Sequence, residues 1–236
     1  MVQNAAYLVD FDGTITGCDI TTELGFHFGG EKFLEIENAY HRREIAIRQW
    51  LQSISKLLPL DREQVLSKAL AWAELRPGFE RFLQFARDKD SPVIIASDGF
   101  GLYIEPILER HGLLHYISAI YRNETYLGNG KPVEVRTPHA HPTCRICGNC
   151  KATHVVKLKS EGRPIIYIGD GSNDRFGASW ADCICARDNL ADACRENSFP
   201  YTQWQDFYDI LQVNDPELSD RSLSSLCCPL GSGVKI

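Results

Sequence analysis

The strongest constraint on the fold is the stretch Tyr7–Thr16, in which a short apolar strand runs directly into two aspartates one residue apart. Because side chains alternate along a strand, Asp10 and Asp12 leave its carboxyl end in the same direction. Two such carboxylates repel each other and stay ionised together only beside a cation or strong donors. The pattern predicts a Mg2+ site with an aspartate nucleophile, because hard cations prefer oxygen ligands and carboxylates form aspartyl-phosphates. An acidic turn closed by Gly13 is the alternative.

A second acidic cluster follows another strand of the buried type. The strand Ile165–Ile168 ends in G-D-G, which contains Asp170, and Asp174 begins the following helix. The glycines permit a tight turn from strand to helix and a close approach of the backbone. A carboxylate is favoured near a helix N-terminus, where it can also cap free N–H groups. This second cluster favours the metal site over the acidic turn.

A hydroxyl and an ammonium group occupy comparable places in the pattern. The strand Val93–Ala96 is followed by Ser97 and then by glycines, and Lys151 lies at the start of a predicted helix, Cys150–Lys159. The carboxylates, the hydroxyl and the ammonium group therefore all fall at strand ends or helix starts. In an open parallel sheet, this edge is where ligands bind.

These four segments, in this order, resemble the haloacid dehalogenase (HAD) phosphatase superfamily. Its motifs are D-x-D-G-T, a strand that ends in Ser or Thr, a lysine, and G-D-x-x-x-D. The resemblance covers residues 5–211 and implies a Rossmann-like parallel sheet with a helical C1 cap. It also implies a Mg2+-dependent phosphomonoester hydrolase, because the superfamily's dehalogenases lack the acidic residue two positions after the nucleophile. The residue types agree, since phosphoryl transfer needs positioning and charge neutralisation.

The resemblance assigns roles to the residues at the matching positions. Asp10 is the expected nucleophile, Asp12 the expected general acid and base, and Lys151 the group that neutralises nucleophile and phosphate. The expected phosphate-binding residues are Ser97, Asp98, Gly99 and Lys151. The expected metal-binding residues are Asp10, Asp12 (through its backbone carbonyl), Asp170 and Asp174.

The order of the predicted elements indicates an α/β fold with a parallel sheet. Predicted strands alternate with helical patterns and lie at Ala5–Phe11, Val93–Ala96, Ile117–Tyr121, Ile165–Ile168 and Cys183–Ala186. Such alternation is typical of strand–helix–strand units.

Between the first two motifs the chain shows helical patterns and no predicted strand. Apolar residues recur at helical spacing in Phe33–Tyr40, Ile45–Leu58 and Val65–Trp72, and Asp61 is a predicted helix N-cap. The resemblance implies that this insertion is a cap that excludes water and selects the substrate, whereas simple core packing is the alternative. The expected domains are a discontinuous core (1–16 and 76–213), the cap (17–75) and a disordered tail (214–236).

A second excursion, residues 123–150, combines a predicted hairpin with a cysteine-rich run. Thr125–Leu127 and Val133–Val135 flank the turn sequence G-N-G-K-P. Three cysteines follow with the spacing C-x2-C-x2-C: Cys144, Cys147 and Cys150. Together with a nearby histidine they could form a tetrahedral Zn2+ site. Three reduced thiols that pack the loop before Lys151 are favoured, because no second C-x-x-C pair completes a zinc site.

The run before Lys151 narrows the resemblance to subfamily IB of the superfamily. C-G-x-C-K, with A-R-D-x-L at Ala186–Leu190, resembles the 2-hydroxy-3-keto-5-methylthiopentenyl-1-phosphate phosphatases of methionine salvage and the phosphoethanolamine/phosphocholine phosphatases. The fourth motif, G-D-G-S-N-D, is closer to phosphoserine phosphatases. The implied partner is a small phosphorylated metabolite, with a methionine-salvage 1-phosphate first and the other phosphoesters as alternatives. A phosphate-binding regulator without turnover is the alternative outside enzymes.

Two residues of the predicted cap are candidates for substrate specificity. Asp19 stands nine positions after Asp10, where phosphoserine phosphatases place a cap glutamate. Arg48 lies a helical turn from the position expected for that family's carboxylate-binding arginine, a role that needs a desolvated bidentate guanidinium. If Asp19 only caps the first cap helix, its loss affects all substrates alike.

Composition excludes several other classes of partner. The 236 residues, 44% of them apolar, are enough for a buried core. A net charge of −6 argues against nucleic acid, and no apolar run approaches the ~20 residues of a membrane span. The chain enters its first strand without a signal-like segment, and nine cysteines indicate a reducing compartment. We expect a cytoplasmic monomer or homodimer.

Overall fold

A sheet of seven strands crosses the computed structural model, which describes residues 5–128 and 131–212. The strands are β1 (Ala6–Val9), β2 (Val93–Phe100), β3 (Ile117–Gly128), β4 (Lys131–Arg136), β5 (Ile165–Gly169), β6 (Cys183–Ala186) and β7 (Thr202–Gln203). Their order is β4-β3-β2-β1-β5-β6-β7, and every neighbouring pair is parallel except β3 with β4. The predicted α/β fold with a parallel sheet is confirmed.

Helices cover both faces of this sheet. They are α1 (Ile20–Gly29), α2 (Glu31–His41), α3 (Ile47–Ser55), α4 (Arg62–Trp72), α5 (Phe79–Asp88), α6 (Gly101–Arg110), α7 (Lys151–Ser160), α8 (Asp174–Ala178), α9 (Asp188–Glu196) and α10 (Phe207–Gln212). The coverage explains why β1 and β5 are apolar along their whole length, since both faces of these strands are buried.

Alternate residues of the central strand feed two separate cores. Tyr7 belongs to the core beneath α5 and α10, where its ring meets Phe82 at a centroid distance of 4.9 Å. Leu8 faces the other way, into the core that contains Val155 of α7 and Leu190 of α9. The strand period of two therefore fixes which helices cover each face.

The strand order places a ligand-binding crevice at the carboxyl ends of the central strands β1 and β5. From β1 the chain builds outward through β2 and β3, and it later returns to the opposite side of β1 with β5. The crevice at such a reversal is the preferred ligand site of open α/β sheets. Asp10 follows β1 and Asp170 follows β5, so both carboxylates lie at this reversal.

Helices α1–α4 lie between β1 and α5, and in this described stretch no sheet strand intervenes. The two segments that lead into and out of these helices run antiparallel and bond each other. Gly17 N–H donates to Glu74 O and Arg76 N–H donates to Ile15 O, both at 2.8 Å. The three helices predicted from apolar spacing correspond to α2, α3 and α4. Helix α1 is the first cap helix that Asp19 was considered to cap, and its bounds were not predicted. Asp61 is confirmed as an N-cap, because it accepts from the N–H of Glu63 at 2.9 Å. The division into a cap of residues 17–75 and a core stays a prediction.

The predicted hairpin is confirmed, with one change in its relation to the sheet. Strand β3 continues beyond Tyr121, its predicted end, to Gly128, and β4 pairs with this extension. Thr125 lies opposite Val135 in that antiparallel ladder. The hairpin is thus an edge of the main sheet. The predicted tail, residues 214–236, lies outside the described residues.

In the described part of the chain, none of the helices combines the length and the apolar character that a membrane crossing requires.

Candidate active site

Asp10 forms an ion pair with a buried lysine at the carboxyl end of β1. Its Oδ2 lies 2.8 Å from Lys151 Nζ, and its Oδ1 accepts from the N–H of Phe11 at 2.7 Å. Lys151 is the first residue of α7, and its side chain is only 3% exposed. The structure therefore brings together two predicted catalytic residues that are far apart in sequence.

Asp174 holds the same lysine from the other side. Its Oδ1 accepts from Lys151 Nζ at 2.5 Å and from Tyr167 OH at 2.6 Å. Its Oδ2 accepts from the N–H groups of Asp170 and Gly171 at 3.0 and 2.8 Å. Both oxygens are thus engaged in a residue that is fully buried. This geometry orients Lys151 toward Asp10.

The turn after Asp10 reaches Asp170 directly. Gly13 adopts a φ of +76°, a conformation that favours glycine, and a side chain there would overlap the Asp170 carboxylate. The Thr14 hydroxyl donates to Asp170 Oδ1. Behind this turn, the Arg76 guanidinium donates to the carbonyls of Gly13 and Thr14. The first and fourth motifs therefore meet around one small space.

Three carboxylates share this space. Asp10, Asp170 and Asp174 each offer an oxygen, and these atoms lie within 4.8 Å of one another. Burial, followed by the Asp174 charge, raises the pKa of Asp10 well above its usual range and that of Asp170 to about 7. Lys151 supplies one ammonium group to the three carboxylates. An all-oxygen donor set with excess negative charge fits a hard divalent cation.

The pKa of Lys151 shows which electrostatic effect dominates. Burial by itself lowers the pKa of an ammonium group, but the Asp10 and Asp174 carboxylates raise this pKa well above its usual value. Lys151 is therefore protonated, as a group that neutralises a phosphoryl anion must be.

Asp12 lies in a different environment from Asp10. Tyr103 OH donates to its carboxylate at 2.8 Å, Ser97 Oγ donates at 3.3 Å, and the N–H of Ile20 donates at 3.1 Å. Burial, followed by the charge of Asp19, raises the pKa of Asp12 to about 8. A carboxyl group that titrates near neutral pH can both donate and accept a proton during a reaction.

The phosphate-binding candidates lie beside Asp12. Ser97 is fully buried, and its Oγ accepts from the N–H of Gly99 at 2.8 Å. A side chain at Gly99 would overlap Asp12, which explains a residue without one at this position. Asp98 Oδ1 accepts from the N–H of Asn149 at 2.7 Å. Its Oδ2 is buried and has no hydrogen-bond partner among the described residues.

The two specificity candidates occupy different settings. Asp19 is the N-cap of α1, and its Oδ1 accepts from the N–H of Thr22 at 2.8 Å. Arg48 donates to the carbonyls of Cys144 and Cys147, each from Nη2 at 2.9 Å. It thereby joins α3 to the cysteine-rich loop.

Two cysteines of that loop, Cys144 and Cys147, pack in a small cluster with Phe176 of α8. Cys147 and Cys150 are buried, and Cys144 is half-buried. A hydrogen bond with Cys144, followed by burial, raises the pKa of the Cys147 thiol well above its usual value. Within residues 5–128 and 131–212, three potential ligand atoms that lie close enough to hold one metal ion are found at Asp10, Asp170 and Asp174.

Sequence reasoning missed two residues that hold the site together. Tyr103 of α6 bonds Asp12, and Asn149 bonds Ser97 and Asp98. Asn149 stands within the cysteine-rich run that the sequence singled out, so its place beside Lys151 was a usable signal. Tyr103 carried none, because a tyrosine within the apolar pattern of the helix after Ser97 is typical of core packing.

Comparisons with known proteins agree with this geometry. The family model described as "Putative Phosphatase" matches residues 6–193. A 2-hydroxy-3-keto-5-methylthiopentenyl-1-phosphate phosphatase from Bacillus cytotoxicus is 34% identical over 204 residues, covering 85% of this chain and 91% of its own. A Bacillus cereus protein of the same name is 32% identical over 206 residues, covering the same shares.

Solved structures share the fold at low identity. A phospho-aspartyl intermediate analogue of phosphoserine phosphatase has a TM-score of 0.68 at 20% identity, covering 89% of this chain and 99% of its own. A HAD family hydrolase from Salmonella enterica serovar Typhi has a TM-score of 0.72 at 17% identity, covering 93% of this chain and 72% of its own. Family match, relatives and fold agree, and the chain belongs to the putative phosphatase family, with the fold of HAD-type phosphatases.

Proposed function

We propose that this protein is a Mg2+-dependent phosphomonoester hydrolase that works through an aspartyl-phosphate at Asp10. The observation that carries the proposal is the 2.8 Å pair of Asp10 Oδ2 with Lys151 Nζ, set within a cluster of three carboxylates. Asp10, Asp170 and the carbonyl of Asp12 would hold Mg2+, with Asp174 beside them. The cation supplies positive charge where negative charge accumulates on the phosphoryl group.

The reaction would proceed in two displacements. In the first, an Asp10 oxygen bonds to phosphorus, the bond from phosphorus to the ester oxygen breaks, and Asp12 gives its proton to the departing alkoxide. In the second, Asp12 takes a proton from water as the water oxygen bonds to phosphorus. Inorganic phosphate leaves and the Asp10 carboxylate is regenerated. The pKa of Asp12, raised to about 8 by burial and by Asp19, supports both directions of transfer.

Ser97, Asp98, Gly99 and Lys151 would receive the phosphoryl oxygens. Lys151 is buried and protonated, so an anion beside it adds a favourable pairing. The Ser97 hydroxyl donates to Asp12 at 3.3 Å, and a phosphoryl oxygen can replace Asp12 as the acceptor of this long bond.

A methionine-salvage 1-phosphate is the leading substrate. Relatives at 32–34% identity, matched over 91% of their own length, carry that name. Asp19 and Arg48 stay predicted specificity residues, with Arg48 acting through the loop that it contacts. The proposed setting is cytoplasmic, with a small phosphorylated metabolite as partner.

Phosphoethanolamine and phosphocholine form the second candidate class. Asp98 Oδ2 and Asn123 Oδ1 are buried acceptors that find no donor among the described residues. Buried acceptors without partners are costly, so a ligand that brings donors or positive charge gains there. Asp19 and Glu37 add acidic groups near Asp12. Phosphoserine is less favoured because the Arg48 guanidinium is engaged by backbone carbonyls.

The test is turnover by the purified full chain with Mg2+. We expect hydrolysis of a generic aryl phosphate, and a panel of metabolite phosphates ranked by kcat/KM should place a methionine-salvage 1-phosphate first. A highest kcat/KM for phosphoethanolamine would favour the second class. Phosphate binding without any turnover would support the regulator instead.

A further inference from the structure

Asn149 has no role in the proposed reaction, yet its side chain and its backbone both make polar contacts with the strands and the helix that carry the candidate site. It is fully buried and lies two residues before Lys151, at the entry to α7. Its side chain and backbone together contact three other segments of the chain. A buried amide with this many partners is costly to assemble, so its placement needs an explanation.

The Asn149 side-chain amide fills a break between two strands. The pairing of β2 with β3 is regular from Ile94 opposite Ala119 to Ala96 opposite Tyr121, and the register then shifts. At this break, Asn149 Nδ2 donates to Ser97 O at 3.0 Å and to Tyr121 O at 2.7 Å. The two N–H groups of the amide therefore bond one carbonyl of β2, which carries Ser97, and one carbonyl of the neighbouring strand β3.

His154 fixes the orientation of this amide. Because Nδ2 serves the two carbonyls, Asn149 Oδ1 faces His154 Nε2 at 2.6 Å, and the imidazole must be the donor. The His154 ring stacks on Tyr121 at a centroid distance of 3.9 Å and an interplanar angle of 7°. Burial, followed by the charge of a protonated His139, lowers the pKa of His154 to about 3, so the ring is neutral.

The backbone of Asn149 extends the link to the reacting groups. Its N–H donates to Asp98 Oδ1 at 2.7 Å, and its carbonyl accepts from the N–H of Lys151 at 3.0 Å. The Lys151 side chain then reaches Asp10. One residue thus contacts both the strand end that presents Ser97 and the helix start that presents Lys151.

We propose that Asn149, oriented by His154, is a positioning residue that sets the distance between Ser97 and Lys151. These two groups would grip the same phosphoryl group from separate elements, and a small change in their separation moves phosphorus relative to Asp10. Misplacement by about 1 Å can cost roughly a hundredfold in rate. The inference rests on the proposed function.

The competing explanation is that the network only stabilises the fold. Asn149→Ala does not separate the two, because it leaves Ser97 O, Tyr121 O and His154 unpaired at once and can unfold the chain. His154 offers a sharper pair of variants. His154→Phe keeps a ring on Tyr121 but cannot donate, whereas His154→Gln can donate from Nε2 but loses the aromatic stack.

The experiment compares these variants in the full chain with Mg2+, at a temperature where each is fully folded. Turnover of an aryl phosphate and the Kd of inorganic phosphate by calorimetry are measured together. For His154→Phe we expect kcat to fall ~10- to 100-fold and phosphate Kd to rise about tenfold. His154→Gln should stay within about threefold of the wild type in both quantities.

A matched control is His139→Phe, because the His139 ring meets Tyr121 and His154 edge-on at 5.2 and 5.5 Å without taking part in the Asn149 contacts. Its kcat and phosphate Kd should match the wild type. Equal losses in the Phe and Gln variants of His154, or wild-type values in both, would overturn the positioning role. If the wild type neither hydrolyses the aryl phosphate nor binds inorganic phosphate, the proposed function is wrong, and so is the inference that rests on it.

Discussion

The sheet edge and helices α1–α4, which form the predicted cap, hold their charged groups in different ways. At the sheet edge the partners come from distant segments, as where Lys151 joins Asp10 to Asp174. In the helices several partners are close in sequence: Asp19 accepts from Thr22, and Glu37 contacts His41 and Trp50. Arg48 is the exception, because its guanidinium donates to the carbonyls of Cys144 and Cys147. The comparison teaches that the reacting groups are fixed by the completed fold, whereas many helical groups depend on neighbours in their own segment.

Several hydrogen bonds join the two regions, and two of them can be tested singly. The N–H of Ile20 at the start of α1 donates to Asp12 at 3.1 Å, and Asn173 Nδ2 donates to Tyr40 OH at 3.0 Å. Each contact joins a helix of the cap region to a loop that carries reacting groups. If chemistry and selection are separable, changes at the two sides of this boundary should have different signatures.

Removal of metal should have the largest effect, and it acts on the sheet edge alone. Chelation by EDTA should abolish turnover of every substrate, and Mg2+ should restore it, because the three carboxylates share one ammonium group. Mg2+ should also raise the Tm by relieving repulsion among Asp10, Asp170 and Asp174. Full activity in a rigorously metal-free preparation would contradict the account.

Asp19→Ala should show the next largest effect, and it should be selective. Loss of a polar contact with the non-phosphate part of the substrate costs roughly 1–3 kcal/mol in kcat/KM, while a small aryl phosphate should lose less, through the lowered pKa of Asp12 alone. Asp19→Asn is the matched control, because asparagine also caps helices and keeps the bond from the N–H of Thr22. Parallel losses on both substrates in Asp19→Ala, with a lowered Tm, would reduce Asp19 to a helix cap.

His154 should make stability depend on pH in a defined direction. Its folded-state pKa of about 3 lies below its ordinary value, so the unfolded chain binds the extra proton between the two. The contribution is intact above the ordinary pKa of about 6.5 and is lost as pH falls, at up to ~1.4 kcal/mol per pH unit. Urea unfolding at about pH 7 and about pH 5.5 should show this loss in the wild type. His154→Gln should lack the part of this loss that His154 causes. Identical pH dependence of stability in both proteins would refute the lowered pKa of His154.

Tyr40→Phe should have the smallest effect, because it removes one contact between the regions and leaves the ring against Trp50 at 5.6 Å. Loss of the bond from Asn173 should cost about 1 kcal/mol and change kcat/KM by several-fold. The effect should appear in KM for the best substrate more than in kcat. Glu31→Gln, an exposed change on the same helix, is the control. A loss above a hundredfold would mean that the cap contributes to chemistry.

One physical reason explains which site residues could be predicted from the sequence. Asp10 and Asp170 follow buried strands, Ser97 follows the predicted strand and lies within the longer β2, and the ends of parallel strands converge whatever the side chains between them. Lys151 followed from the resemblance and from its place at a helix start. Position along the strands therefore predicted the reacting groups, even though they are far apart in sequence.

The parts that could not be predicted depend on tertiary partners. Helix α1 contains glycines and little periodicity, and its glycine at position 25 matters because the Phe33 ring packs there. Tyr103 and Asn149 acquire their roles only from groups that distant segments bring to them. Arg48 was a candidate because it lies a turn from the position of the carboxylate-binding arginine in phosphoserine phosphatases. That position did not predict the contacts of its guanidinium with carbonyls of a loop about a hundred residues away in the chain.

The central claim is a covalent phosphoryl group on Asp10, and acid-quench mass spectrometry tests it most directly. The full chain is mixed with Mg2+ and an aryl phosphate, quenched in acid during turnover, digested and analysed. We predict one phosphoryl group on the peptide that contains Asp10, and none in Asp10→Asn, whose turnover should fall more than ~10³-fold. Asp192→Asn, at an exposed carboxylate on α9, should behave as the wild type. Steady turnover with an unmodified Asp10 peptide, or with the phosphoryl group on another residue, would contradict the account.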